Sequence, residues 1–301
     1  QRAGDGVGTD SALRRICEKY SNGEGRLMRL VSLLVMLVCS ALVAGDAAAQ
    51  VPSLPEGAQT HWVVGQPYEI VAYVTFDPAT VARRLPRTLR FITLKELATT
   101  GVSWATDYLA DHPTHGNWGI SFLEIVRMGA FTIDGRAPHW PEHGAAALWF
   151  ARVEPSTPAT DLGPGRPFLA LEFWMPDSAY VAYMRGKGHY ATYGDVKLLQ
   201  KSDSSWRGSV DVAGLKIVAE CVPTGPVTGG PRSAGIQAFF PARSSPVKSV
   251  VRVAFAGHRE QDCGGASAWS LHGTHPLARG VVLQPSVFEY GYELIGGAYE
   301  R

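Results

Sequence analysis

Few residues in this chain have the type and spacing to do chemistry. Glu124 alternates with Phe122 and Val126 inside the run Ile120–Met128, and alternation puts the three on one face of a strand. A charge on an apolar face is seldom buried without a partner. Turned inward, Glu124 is an acid or base for a bound small molecule; turned outward, it is a solvated edge charge. His112-x-x-His115 and His139-Trp140-Pro141-Glu142-His143 gather four histidines and a carboxylate into residues 112–143. Imidazole and carboxylate together suit zinc, so a metal-dependent enzyme using His112, His115, His139 and His143 is a rival reading. The second motif resembles the inverted zinc-protease pattern, but that pattern needs a helix, and Pro138 and Pro141 oppose one. Histidines beside Trp and Pro in loops serve packing equally well, and no metal or other cofactor is assigned. Six lysines follow residue 49 (Lys95, Lys187, Lys197, Lys201, Lys216, Lys248). A lysine becomes a nucleophile only when burial or a neighbouring cation holds it unprotonated.

The elements that must position these groups read mostly as strands. Gly and Pro punctuate the chain at short intervals, which suits strands and turns. Tyr68–Thr75 alternates and is rich in β-formers; further strands are expected at Ile120–Met128, Ala145–Val153, Phe168–Met175, Val196–Lys201, Trp206–Val212, Leu215–Cys221, Gln237–Phe240, Val247–Ala256 and Gly280–Tyr292. Asp77-Pro78 opens a helix to Leu85, with Pro86 closing it. Asp177 caps a second helix, Ser178–Met184. Ala213-Gly214 centres a hairpin. Pro155–Pro167 and Pro223–Ser233 read as long loops. About ten short strands with few helices predict a mainly β fold, an antiparallel barrel.

Met28-Arg29, the uncharged run Leu30–Val43 and Ala47-Ala48-Ala49 describe a secretory signal peptide over 28–49. Residues 1–27 then form an upstream extension and 50–301 a single exported domain, periplasmic or secreted. Of 28 Lys and Arg and 27 Asp and Glu, six and five fall in 1–49, leaving 22 of each. A neutral domain speaks against nucleic acid or an anionic membrane as partner. Two of the four cysteines remain, Cys221 and Cys263; in an exported protein they either pair or stay as separate thiols. No Gly-x-Ser-x-Gly elbow, phosphate loop or dinucleotide fingerprint is present.

The order around Asp177 resembles the central segment of the acetoacetate decarboxylase family. A buried strand leads into an aspartate-headed helix, a turn of small residues (Gly186, Gly188, Ala191, Gly194) and two strands. Ile70-Val71-Ala72-Tyr73 with Asp77 and Leu85-Pro86 is similar to that family's opening. Phe122-Leu123-Glu124 is similar to its aromatic-x-Glu, and His275-Pro276-Leu277 through Phe288-Glu289-Tyr290 to its closing strand. The resemblance spans roughly 62–294. It implies a barrel around a pocket for a small keto acid or related carbonyl compound, decarboxylase-type lyase chemistry, Glu124 facing the pocket, and a homo-oligomer. It also shows departures. Gly186-Lys187-Gly188 stands for the family's Gly-Arg-Glu, Gly194-Asp195 for its lysine pair, and Gln66-Pro67-Tyr68 where an arginine is usual. Lys197, three residues on, is the only lysine nominated as nucleophile, reaching the expected place if the turn is longer here; without an insertion it reads as an ordinary surface or edge lysine at the start of the next strand. Without a lysine, the same scaffold would bind a small carbonyl or carboxylate ligand without catalysis.

Overall fold

The computed structural model describes residues 60–157, 166–201, 204–229, 235–242 and 245–300. The apolar run at 30–43 lies outside them, and with it the signal peptide. Sixteen strands are described: β1 (Thr60–Gly65), β2 (Tyr68–Phe76), β3 (Leu89–Phe91), β4 (Gly119–Arg127), β5 (Ala130–Ile133), β6 (Ala146–Pro155), β7 (Arg166–Met175), β8 (Thr192–Tyr193), β9 (Asp195–Gln200), β10 (Trp206–Val212), β11 (Leu215–Gly229), β12 (Gly235–Ala242), β13 (Ser245–Ala256), β14 (Arg259–Gly273), β15 (Val282–Tyr290) and β16 (Glu293–Glu300). Three short helices join them, α1 (Leu94–Thr99), α2 (Ser103–Asp111) and α3 (Ser178–Gly186). The fold is mainly β, with more strands than the ten expected.

Fourteen strands follow one order, β5-β1-β16-β13-β12-β7-β6-β4-β2-β15-β14-β11-β10-β9. The far end then curls back: the Ala145 N–H donates to the Val196 carbonyl and the Leu198 N–H to the His143 carbonyl. This stitches β9 to the residues just before β6, so β6, β4, β2, β15, β14, β11, β10 and β9 close into a barrel. Alternation sorts the side chains between two cores. Ile70, Val74, Leu123, Ile125, Trp149, Leu198, Val210 and Ile217 fill the barrel. Val71, Phe122, Val126, Leu148, Phe150 and Phe168 point the other way and pack with Trp62, Phe131 and the α3 residues Tyr180, Val181 and Met184. β2, β4 and β6 are therefore buried on both faces, which is why they read as nearly continuous apolar runs.

Local chemistry sets the ends of these elements. A capping box starts α1: Thr93 Oγ1 accepts from the Glu96 N–H, and the Glu96 carboxylate accepts from the Thr93 N–H. Asp177 caps α3 through the Tyr180 N–H. Gly214, at φ +77°, turns β10 into β11. Three expectations change. The helix from Asp77 to Leu85 is two 3₁₀ turns, because Val81 at φ −123° leaves helical geometry between them. Pro223–Ser233 is not a loop throughout: β11 continues to Gly229, and register shifts at Glu220/Val222 and Thr224/Thr228 accommodate Pro223 and Pro226. β14 is a strand that sequence reading does not expect, since its Gly and charged residues hide the alternation; it is held by β11 along most of its length.

Cys221 and Cys263 form a disulfide between β11 and β14 at the first of these bulges, with Cα atoms 5.0 Å apart. Both cysteines sit in the barrel core. Closing 42 residues of chain is worth about 4 kcal/mol in the loop-entropy treatment. Cys221→Ala/Cys263→Ala, compared with the oxidised protein by denaturant unfolding, is expected to lose stability on this scale. A loss below about 1 kcal/mol would show that the barrel does not depend on the bond.

Candidate functional site

The register of four neighbouring strands assembles acidic side chains that the sequence keeps far apart. Glu69 of β2 lies opposite Glu289 of β15, and Glu289 opposite Glu260 of β14. On the other side, Val126 of β4 faces Glu69 and Val71 faces Glu124. All belong to the face that carries Val71, Phe122 and Val287, outside the barrel core. Glu69, Glu260 and Glu289 are each no more than 4% exposed, while Glu124 is half-buried. Like charges directly opposite across strands repel, and buried carboxylates cannot all ionise.

Protons resolve the conflict. Tyr292, in the turn after β15, donates its hydroxyl to Glu69 Oε1 at 2.7 Å. Glu69 also hydrogen-bonds Glu289, whose other partner is His258 Nε2 at 2.7 Å. Burial, then the charges of Glu124 and Glu289, push Glu69 well above the usual carboxylate range. Burial, then Glu289, raises Glu124 to about 8. Burial also raises the Tyr292 phenol well above its ordinary value. At neutral pH the consistent assignment is Glu69 and Glu124 as carboxylic acids and Tyr292 as phenol. Glu124 is thus an O–H donor at the edge of the network, beside the aromatic row formed by Tyr73, Phe122 and Phe150, which are level with one another across β2, β4 and β6. A carboxylic acid kept neutral at pH 7 can hydrogen-bond a carbonyl oxygen or transfer a proton to it.

The other sequence-derived candidates lie elsewhere. Lys197 is on the exposed edge of β9, with its Nζ 2.8 Å from Asp195 Oδ2. Gly194 has no room for a side chain: a Cβ there would come 2.3 Å from Val212 Cγ1. Lys95 is exposed; Lys187, Lys201 and Lys216 pair with Asp134, Glu220 and Asp211. The side chain of Lys248 lies outside the described residues. His112 and His115 stack on each other and His115 on Trp118, beside Tyr108. His139 and His143 belong to the connection before β6, with the His139 N–H on Asp177 and His143 beside Glu142. The only group of three or more potential metal ligands meeting within 4.8 Å among the described residues is His258, Glu260 and Glu289, so the four histidines do not converge. Sequence reading missed Glu69, His258, Glu260 and Tyr292. Glu69-x-Val71-x-Tyr73 carries the same alternation that singled out Glu124, but the partners that make it matter come from strands over 180 residues away.

No family model and no curated protein matches the sequence. Among solved structures, the fold is similar to an acetoacetate decarboxylase from Legionella pneumophila, at 12% identity and TM-score 0.49, over 86% of this chain and 97% of that one. It is also similar to an acetoacetate decarboxylase-like enzyme from Sphingomonas wittichii RW1, at 14% identity and TM-score 0.44, over 86% and 100%. A third is the enduracididine biosynthesis enzyme MppR complexed with pyruvate, at 14% identity and TM-score 0.42, over 86% and 98%. At such identities the roles of residues rest on this chain's own geometry.

Two outcomes follow from that geometry. A carboxyl group whose pKa is raised by folding stabilises fully below its unfolded value and loses that contribution as pH climbs to the folded one. His189, lowered to about 4 by burial, acts in the opposite sense, but only below about 6.5. Between pH 7 and 9 the melting temperature is therefore expected to fall, and Glu124→Gln to flatten the fall; an unchanged slope in the variant would refute the assignment of the proton to Glu124. Separately, Gly194→Ala is expected to cost about 1–3 kcal/mol through overpacking against Val212, read by urea unfolding. A neutral result there would mean that Val212 gives way to a Cβ at this position.

Proposed function

We propose that the protein binds a small carbonyl compound, a ketone or keto acid, without forming a covalent bond to it. The observation that carries this reading is the half-buried Glu124 carboxyl, crowded by the buried Glu69 and Glu289 and set beside an aromatic row, on a face that none of the described lysines reaches. In the bound state the Glu124 O–H donates to the carbonyl oxygen, and the Glu69–Glu289–His258 network holds Glu124 neutral by supplying the charge it must avoid. A Schiff base would require an unprotonated amine. Lys187, Lys197, Lys201 and Lys216 are instead solvated ion-pair partners of surface carboxylates. Ligand binding or carbonyl polarisation therefore fits these residues better than decarboxylation through an imine. The disulfide suits an oxidising compartment and so agrees with export directed by residues 28–49.

Acetophenone serves as a neutral carbonyl probe. Its stabilisation of the protein in thermal-shift titrations is expected at pH 6 and to vanish above about pH 8, as Glu124 ionises. Glu124→Gln, which keeps an N–H donor, should retain pH-independent binding, whereas Glu124→Ala should lose it. Borohydride treatment in the presence of pyruvate or acetoacetate should leave the intact mass unchanged. A reduced adduct on any lysine, Lys197 or Lys248 included, would overturn the non-covalent reading and restore the lyase one.

A further inference from the structure

The face that carries the glutamates continues past the aromatic row to a cation. Arg152 of β6 is two residues beyond Phe150, on the same side by alternation, and lies opposite Phe168 of β7. One step further along the β4–β6 ladder than Ser121–Ala151 brings Ile120 level with it. The side chain is partly buried, and burial holds the guanidinium below its usual pKa, with the Tyr73 hydroxyl opposing this. No carboxylate pairs with it among the described residues. Elsewhere the molecule does pair its buried charges: Glu172 is met by Arg84 and His275. An arginine that is partly desolvated and left without an anion is costly and calls for a counter-charge that none of the described residues supplies.

A second, independent observation points to the same place. Trp104, at the start of α2, packs in the small cluster that contains Ile120 and Tyr73, and its Nε1 is buried without an acceptor. Ile120 is thus both the cross-strand neighbour of Arg152 and a member of the cluster that Trp104 packs against, and a guanidinium and an indole N–H are donors of the kind that a carboxylate accepts from. Neither belongs to the acid network.

We propose that Arg152 and Trp104 form an anion subsite at the far end of this face, and that the ligand is an organic acid whose carboxylate binds there while its carbonyl reaches Glu124. This rests on the reading of Glu124 given above and adds a distance to it. The Glu124 and Arg152 rows are four residues apart along the strands, about 13 Å at strand rise, with the Tyr73–Phe122–Phe150 row halfway. The long arginine stem shortens the gap but does not remove the aromatic row from between the two groups. The carbonyl and carboxylate of the ligand are therefore separated by an apolar or aromatic spacer, and a 4-oxo acid or longer fits better than a 3-oxo acid.

The test compares 4-oxo-4-phenylbutanoate, its neutral methyl ester and acetoacetate by isothermal titration on the full protein at pH 6.5. The long acid is expected to bind at least tenfold tighter than its ester and tighter than acetoacetate. Arg152→Met should erase the preference for acid over ester; Arg152→Lys should keep part of it; Trp104→Phe should reduce it. Equal binding of acid and ester by the wild type, or an intact preference in Arg152→Met, overturns the anion subsite and leaves the Glu124 reading standing. Tighter binding of acetoacetate overturns the spacing. Failure of the ester and acetophenone alike removes the Glu124 reading, and this inference with it. Arg152→Met also reports without ligand: its melting temperature is expected to match or exceed that of the wild type, and a drop of several degrees would mark Arg152 as a structural residue instead.

Discussion

Side chains directly opposite on neighbouring strands cannot avoid one another, and in this protein three such positions in a row are glutamates. The register that pairs Glu69 with Glu289 and Glu289 with Glu260 is enforced by everything else on β2, β14 and β15. A slip of one residue would send Ile70, Val74 and Phe288 out of the barrel core and the acids into it. The hydrophobic pattern thus fixes where the carboxyl groups meet, and their meeting fixes who keeps a proton. Glu172 shows the alternative available to the same fold. It is equally buried, but Arg84 and His275 compensate its charge. Glu69 and Glu124 have like-charged neighbours instead. A structure that pairs one buried acid and crowds others is using the crowding.

The two cores divide the labour. Inside the barrel the residues are mostly apolar, with Glu172, Arg84 and His275 clustered beside Trp149 and Trp174 and the Cys221–Cys263 bond joining β11 to β14 where the ladder bulges. The opposite face of β2, β4 and β6 carries polar groups at both ends and aromatic rings between. The helical pair α1–α2 covers one end of the polar face, anchored by the Thr75–Tyr108 hydroxyl contact at 3.1 Å. His258 and Tyr292, just outside β14 and β15, complete the other end.

Much of this is legible in the sequence where a single strand carries the signal. Alternation in Tyr68–Phe76 and Gly119–Arg127 marks strands of nearly the right length, and it sets Glu124 apart as a charge among Phe122 and Val126. Gly194 is legible as a position without an amine; what the sequence cannot say is that Val212 fills the space a side chain would need. Pairing between distant strands is not legible. Glu69, Glu260 and Glu289 each look like ordinary edge charges until β2, β14 and β15 are laid side by side. The histidines mislead for the same reason: closeness in sequence stands in for closeness in space, whereas His112 and His115 stack with Trp118 while His139 and His143 join a different loop. β14 escapes because its pairing partner, rather than its composition, makes it a strand.

An amine and a proton donor have different chemical consequences for a bound carbonyl compound. Decarboxylation leaves an electron pair that must be accepted, and an iminium accepts it well because it is already cationic. A neutral carboxylic acid can only hydrogen-bond or protonate the carbonyl oxygen, so the developing enolate would gain stabilisation limited by the acidity of Glu124. That acidity is low by construction, since burial and Glu289 hold its pKa at about 8. Matching of this kind favours holding a carbonyl compound, or slow exchange of the protons beside the carbonyl, over cleavage of a carbon–carbon bond. The acid network is thus coherent with recognition. A lysine placed among these groups would meet the wrong electrostatics, because carboxylates beside it would stabilise its ammonium form and raise the pKa that imine chemistry needs lowered.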